Sequence, residues 1–161
     1  MNLLFKRNYL TQIENSAKGE NHLFRNFYME KDGKIEDSLD NGKNSCAIMV
    51  SHILYSFNSL LEFNGKNNWI KAIHLTVAST EKDLLENGWR EIKELLPGAV
   101  LIWDKKYGND GKLHNHMGFF AGGDEAISNS SEETGFPRKH HISHNGTRKI
   151  EKIYWHSALD E

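Results

Sequence analysis

Leu113-His114-Asn115-His116-Met117-Gly118-Phe119-Phe120-Ala121-Gly122-Gly123 reads as a strand that carries two histidines into a glycine turn. Gly122-Gly123-Asp124 is the turn, and Glu125 to Ser128 suits the strand after it. Upstream, Tyr107 to Lys112 is rich in Gly, Asn and Asp and reads as a hairpin loop. It leads back to a short apolar strand, Ala99-Val100-Leu101-Ile102-Trp103, which starts just after the break at Pro97-Gly98. Ile150 to Trp155 suits a final strand. The C-terminal half is therefore expected to be an antiparallel meander. Within it, His140-His141-Ile142-Ser143-His144, following Pro137-Arg138-Lys139, reads as a loop.

The N-terminal half has a different period. Leu3, Leu4, Tyr9, Leu10 and Ile13 form a helical stripe, and Leu23 to Met29 is a second apolar piece read as helical. Glu30 to Asn44 shows no periodicity and reads as a loop with a turn at Lys31-Asp32-Gly33. From Cys46 to Leu61 the apolar residues follow the helical period, with Ser45 as N-cap and Cys46 at the first helical position. Thr80, with Glu81 and Asp83 behind it, marks another helix start, with Leu84, Leu85, Trp89 and Ile92 on one face. Helices first and an antiparallel sheet second predict an α+β domain.

Composition sets limits on function. At 161 residues the chain suits one domain, with 1–44 as an N-terminal helical and loop region and 45–161 as the core. A net charge of −2 with both signs spread along the chain gives no nucleic-acid footprint. One cysteine precludes an internal disulfide. Met1 to Arg7 lacks the apolar core of a signal peptide, so the expected location is cytoplasmic by default, with no membrane partner and other export routes left open. Oligomeric state is not legible.

Three segments resemble the NlpC-type and CHAP-type hydrolases, compact relatives of papain that cut bacterial cell-wall peptides. Ser45-Cys46-Ala47-x-x-Val50-Ser51 is similar to the family's cysteine-bearing helix start. Leu96-Pro97-Gly98-Ala99-Val100-Leu101-Ile102-Trp103-Asp104 is similar to the segment leading into its first core strand. His116-Met117-Gly118-Phe119-Phe120-Ala121-Gly122 is similar to the strand that bears its histidine. They stand in the family's order and cover about half the chain. Ser45 replaces the usual aspartate, Ile48 stands where glycine is common, and no histidine occupies the third polar position.

The resemblance implies a papain-like fold and a cysteine peptidase or amidase acting on a peptide or peptidoglycan fragment. It needs no cofactor or metal. A thiol at a helix start faces backbone donors that favour the thiolate, which makes Cys46 the candidate nucleophile. His116 is the implied base, and His114 an exposed neighbour on the same face. An imidazole needs an acceptor on its far nitrogen. The family's third polar position falls on Ser128, whereas the papain-like need for an amide or carboxylate points to Asn129. Asn129 is the preferred acceptor, and strand alternation lets only one of the two face the site.

In the expected mechanism the Cys46 thiolate attacks an amide carbonyl, with the Cys46 backbone N–H as oxyanion donor, and His116 protonates the leaving amine. Water then hydrolyses the acyl-enzyme. The basic stretch 130–149, with Lys139, His140, His141, Arg148 and Lys149, offers a surface for an anionic fragment. Two alternatives stand beside this reading. One is a cupin-like metal protein using His114, His116 and His140 to His144. The other is a catalytically silent papain-like binding module. Tyr28, Trp103 and Trp155 are expected in the core or cleft wall.

Overall fold

The computed structural model describes residues 3–108, 110–130 and 134–160. The first helix, α1 (Phe5–Ser16), buries Phe5, Tyr9 and Ile13 at four-residue spacing, so one stripe faces inward. The Tyr9 hydroxyl donates to the Gly98 carbonyl at 2.8 Å, tying α1 to the turn before the central strands. Gly98 has φ +94°, and a Cβ there would meet the Tyr9 ring at 2.9 Å, so the close approach requires glycine.

The next two helices are α2 (Cys46–Ser56), which is the more interior, and α3 (Asn58–Phe63), which buries only Asn58 and Leu61. By length and composition the 18-residue span Cys46–Phe63, which includes Phe57 between them, could cross a membrane. Here α2 buries Ala47 to Ser51, Ile53 and Leu54 against the sheet and α4 (Val77–Glu86). A helix apolar all round is what such a central position demands.

Six strands form the main sheet: β3 (Trp89–Ile92), β4 (Val100–Tyr107), β5 (Leu113–Gly122), β6 (Glu125–Asn129), β7 (Pro137–His141) and β8 (Ile150–His156). Their order is β3-β8-β4-β5-β6-β7, and every pairing is antiparallel. A separate two-stranded ribbon, β1 (Tyr28–Lys31) with β2 (Lys34–Asp37), precedes α2. The class is α+β, with helices packed on an antiparallel sheet. One hydrophobic cluster runs from Phe5 to Leu159, so the N-terminal region shares the core of the rest.

Several local expectations are corrected. Leu23 to Met29 is not a helix: a 3₁₀ turn at His22–Phe24 gives way to β1. The stretch 30–44 contains a hairpin, closed at Asp32 and Gly33 with φ +52° and +76°, the left-handed pair of a type I′ turn. The fourth helix starts at Val77, because Thr76 accepts from the Ser79 N–H, and Thr80 sits inside bonding back to Thr76. Trp89 and Ile92 lie on β3, after Gly88 at φ +88°. His140 and His141 belong to strand β7 rather than a loop. Trp103 and Trp155 are buried, but Tyr28 is exposed.

Candidate active site

Four neighbouring strands each turn one side chain to the same face, forming the row Trp103, His116, Ser128 and His140. Trp103 stands directly opposite His116 in the β4–β5 register. Phe119 opposite Ile127 fixes the next register, which sets Gly118 beside Ser128. A Cβ on residue 118 would lie 2.7 Å from the Ser128 Cβ and 2.5 Å from the Ile127 carbonyl oxygen. Glycine at 118 therefore leaves Ser128 room to approach His116. On β7, His140 stands opposite Ala126, which shares its face with Ser128.

The loop after β7 closes over this row. The Trp103 indole N–H donates to the Ile142 carbonyl at 2.7 Å and pins the loop down. His144, at φ +48°, brings its ring 4.0 Å from that of His140, nearly parallel, and 5.3 Å from that of His116. Three imidazoles thus pack against one tryptophan.

Hydrogen bonds thread the row. His116 Nε2 lies 2.7 Å from Ser128 Oγ, and the same oxygen lies 2.7 Å from His140 Nε2. His140 Nδ1 lies 2.8 Å from the His141 carbonyl oxygen. His116 is 7% exposed and Ser128 is 1% exposed, so water contributes little to either.

Cys46 is the first residue of α2 and is half-buried. Its sulfur faces the backbone N–H of Met117, the residue after His116, together with the N–H groups of Ala47 and Cys46 itself. The Arg148 charge acts on Cys46, His116 and His144 alike, which gathers the thiol and the histidines into one electrostatic neighbourhood. Arg148 is held there by donating Nη1–H to the Asp104 carbonyl at 2.8 Å.

Burial decides the protonation states. It pushes the Cys46 thiol above its ordinary value despite the backbone donors and Arg148. The helix start was expected to lower this thiol, and desolvation outweighs it. Burial, then His144, Arg148 and His140, hold His116 well below the usual imidazole range. Burial, His140 and Arg148 bring His144 down to about 3, and burial lowers His140. The resting site is a neutral thiol beside neutral imidazoles.

Two further expectations are corrected. Asn129 does not face His116: its Nδ2 donates to the Gly42 carbonyl at 2.7 Å, in the loop that leads to Cys46. Ser128 is the residue on the His116 Nε2 nitrogen. Ser45 occupies the N-cap position with φ −100° and ψ 4°, but its buried hydroxyl makes no capping bond. The loop is instead anchored by Asn129 and by Gly42 packed on Gly135, where a Cβ on residue 42 would come 2.3 Å from the Gly135 carbonyl.

Of the histidines proposed for a metal, His116, His140 and His144 gather at the row, whereas His114 and His141 lie apart from it. His114 bonds Asp110 at the exposed hairpin, and His141 bonds Ser143. Among the described residues no group of three or more His, Cys, Asp or Glu side chains is arranged to hold a metal ion. Lys139 of the basic stretch pairs with Glu14 at 2.8 Å and Glu125 at 3.4 Å, so it is not a free anion site. A surface hollow of about 620 Å³ lies along α1, bordered by Leu4, Lys6, Leu10 and Glu14, away from the histidine row.

From the sequence, His140 and His144 join His116 only in the metal alternative, and His140 and Arg148 only in a basic surface, not as the surroundings of Cys46. The dense histidine run at 140–144 was the available signal, and its strand periodicity was hidden by charged neighbours. No family model, curated protein or solved structure matches the chain, so the site is read from its own geometry.

Proposed function

We propose that the protein is a papain-like cysteine hydrolase of the NlpC or CHAP type that cleaves an amide bond in a cell-wall peptide. One observation carries this reading. The thiol at the head of α2 lies by the backbone N–H of Met117, next in the chain to His116, whose Nε2 is engaged by Ser128. The resemblance of the three segments supplies the substrate class.

Chemistry from a neutral pair needs a base at the moment of attack. His116 takes the Cys46 proton as sulfur bonds to the carbonyl carbon, and the Cys46 backbone N–H steadies the oxyanion. The imidazolium then protonates the amine as the C–N bond breaks, leaving a thioester. Water attacks it with His116 again as base, releasing the acid and restoring the thiol.

The test is incubation with peptidoglycan stem peptides and mass analysis of the products. Amide cleavage is expected, with Cys46→Ala lowering it by about 10³-fold or more. Cleavage indifferent to Cys46→Ala, or no cleavage across a panel of peptides, would sink the proposal.

The raised thiol favours a second reading, a silent papain-like binding module, because burial withholds the thiolate. Alkylation by iodoacetamide separates the two. In a hydrolase, His116→Ala slows labelling of Cys46, since the base is lost. In a silent module the rate is unchanged.

A further inference from the structure

We infer that His140 is a positioning residue: acting through Ser128, it fixes the proton of His116 on Nε2 and leaves Nδ1 as the free base nitrogen. Its kinetic consequence rests on the hydrolase reading, whereas the proton assignment does not.

The relay begins at a group that cannot donate. The His141 carbonyl oxygen, 2.8 Å from His140 Nδ1, is only an acceptor, so Nδ1 carries a proton. His140 is neutral, so its Nε2 is then a lone pair. That nitrogen lies 2.7 Å from Ser128 Oγ, and the hydroxyl must donate to it. A serine hydroxyl has one proton. Having given it to His140, Ser128 can only accept from His116 Nε2, 2.7 Å away on its other side. His116 is therefore protonated at Nε2, and its lone pair is at Nδ1. Each member lies on a different strand of one sheet, or on its backbone, so the order is set by the fold.

A lone serine would not achieve this. Its hydroxyl can donate or accept, so it would tolerate either form of His116. His140 removes that freedom. Serine plus histidine thus takes the place of the single polar residue that the resemblance leads one to expect.

Long-range nitrogen–proton NMR of the imidazole rings reads the assignment directly, with peaks identified from the His116 and His140 variants. In the wild type, His116 is expected to be protonated at Nε2 and His140 at Nδ1. The opposite form of His116 would overturn the inference, and this measurement needs no mutant to fold. His140→Phe keeps the ring volume but removes the acceptor, so His116 should shift toward the Nδ1-protonated form. His140→Gln, which restores an acceptor, should keep the native pattern. A His116 spectrum unmoved by His140→Phe, or moved equally by both variants, would overturn the inference. With a substrate in hand, His140→Phe should lower kcat by about 10–100-fold and leave KM in place. If the wild type cleaves nothing, the hydrolase reading fails and the ring spectra still decide the relay.

Discussion

At the residue scale, Ser128 and Asn129 are adjacent, both polar and both buried, yet they serve different ends. Ser128 touches His116, and Asn129 holds the loop that delivers Cys46. Asn129→Ala should lower stability by about 1–2 kcal/mol, because the buried Gly42 carbonyl loses its donor. Turnover per folded molecule should fall less than in Ser128→Ala, because His116 keeps its contact with Ser128. Ser128→Ala should lower kcat by about 10–100-fold, because the tautomer of His116 is no longer fixed. Urea midpoints and rates on the two variants check this, and loss of turnover in Asn129→Ala alone would reverse the assignment. The sequence presents both residues equally. What separates them is one residue of register, set by Gly118 packing under Ser128, and no local pattern encodes that contact.

At the element scale, the β5–β6 pair is as close as it is because residue 118 has no side chain. Gly118→Ala would drive a methyl into the Ile127 carbonyl and the Ser128 Cβ, backbone and short side chain that cannot swing away. Stability should fall by about 1–3 kcal/mol, and His116 should lose its bond to Ser128 as the strands part. Thermal unfolding with the His116 ring spectrum tests both, and an unchanged spectrum would show the strands can absorb the methyl. The elements legible in sequence are those with strong burial contrast: α2, whose apolar residues fill the core, and β4, β5 and β6, bounded by clear turns. Less legible were β1 and β2, whose residues are almost wholly exposed and so show no alternation. Strand β7 is hard to read because it is an edge opened by Pro137 with one charge on each face, Arg138 and Lys139, so it shows no apolar alternation. Helix α4 was displaced because two threonines compete for the cap and only Thr76 has the extended backbone a cap needs.

At the scale of the whole molecule, one core holds a group of imidazoles that the fold keeps uncharged. His116, His140 and His144 are all held below the ordinary value of 6.5, with burial the leading cause in each. Unfolding releases them to water, where each titrates near that value. Below it the unfolded chain binds protons that the folded chain refuses, so stability is full above about 6.5 and declines as pH falls toward the folded values. Each ring contributes at most about 1.4 kcal/mol per pH unit over this window. Asp37, Asp83 and Glu81, whose folded values are lowered by their partners, act in the same sense but only once carboxylates begin to protonate. The acid response should therefore begin with histidine, well before the carboxylate range. Urea unfolding at steps from neutral pH to about pH 5 should show the free energy falling throughout. His144→Phe, which keeps a ring stacked on His140 and cannot titrate, should flatten the slope by up to about 1.4 kcal/mol per pH unit. A stability that stays level across this interval would mean the three rings accept protons while folded, and the neutral resting site derived from their burial would fall with it.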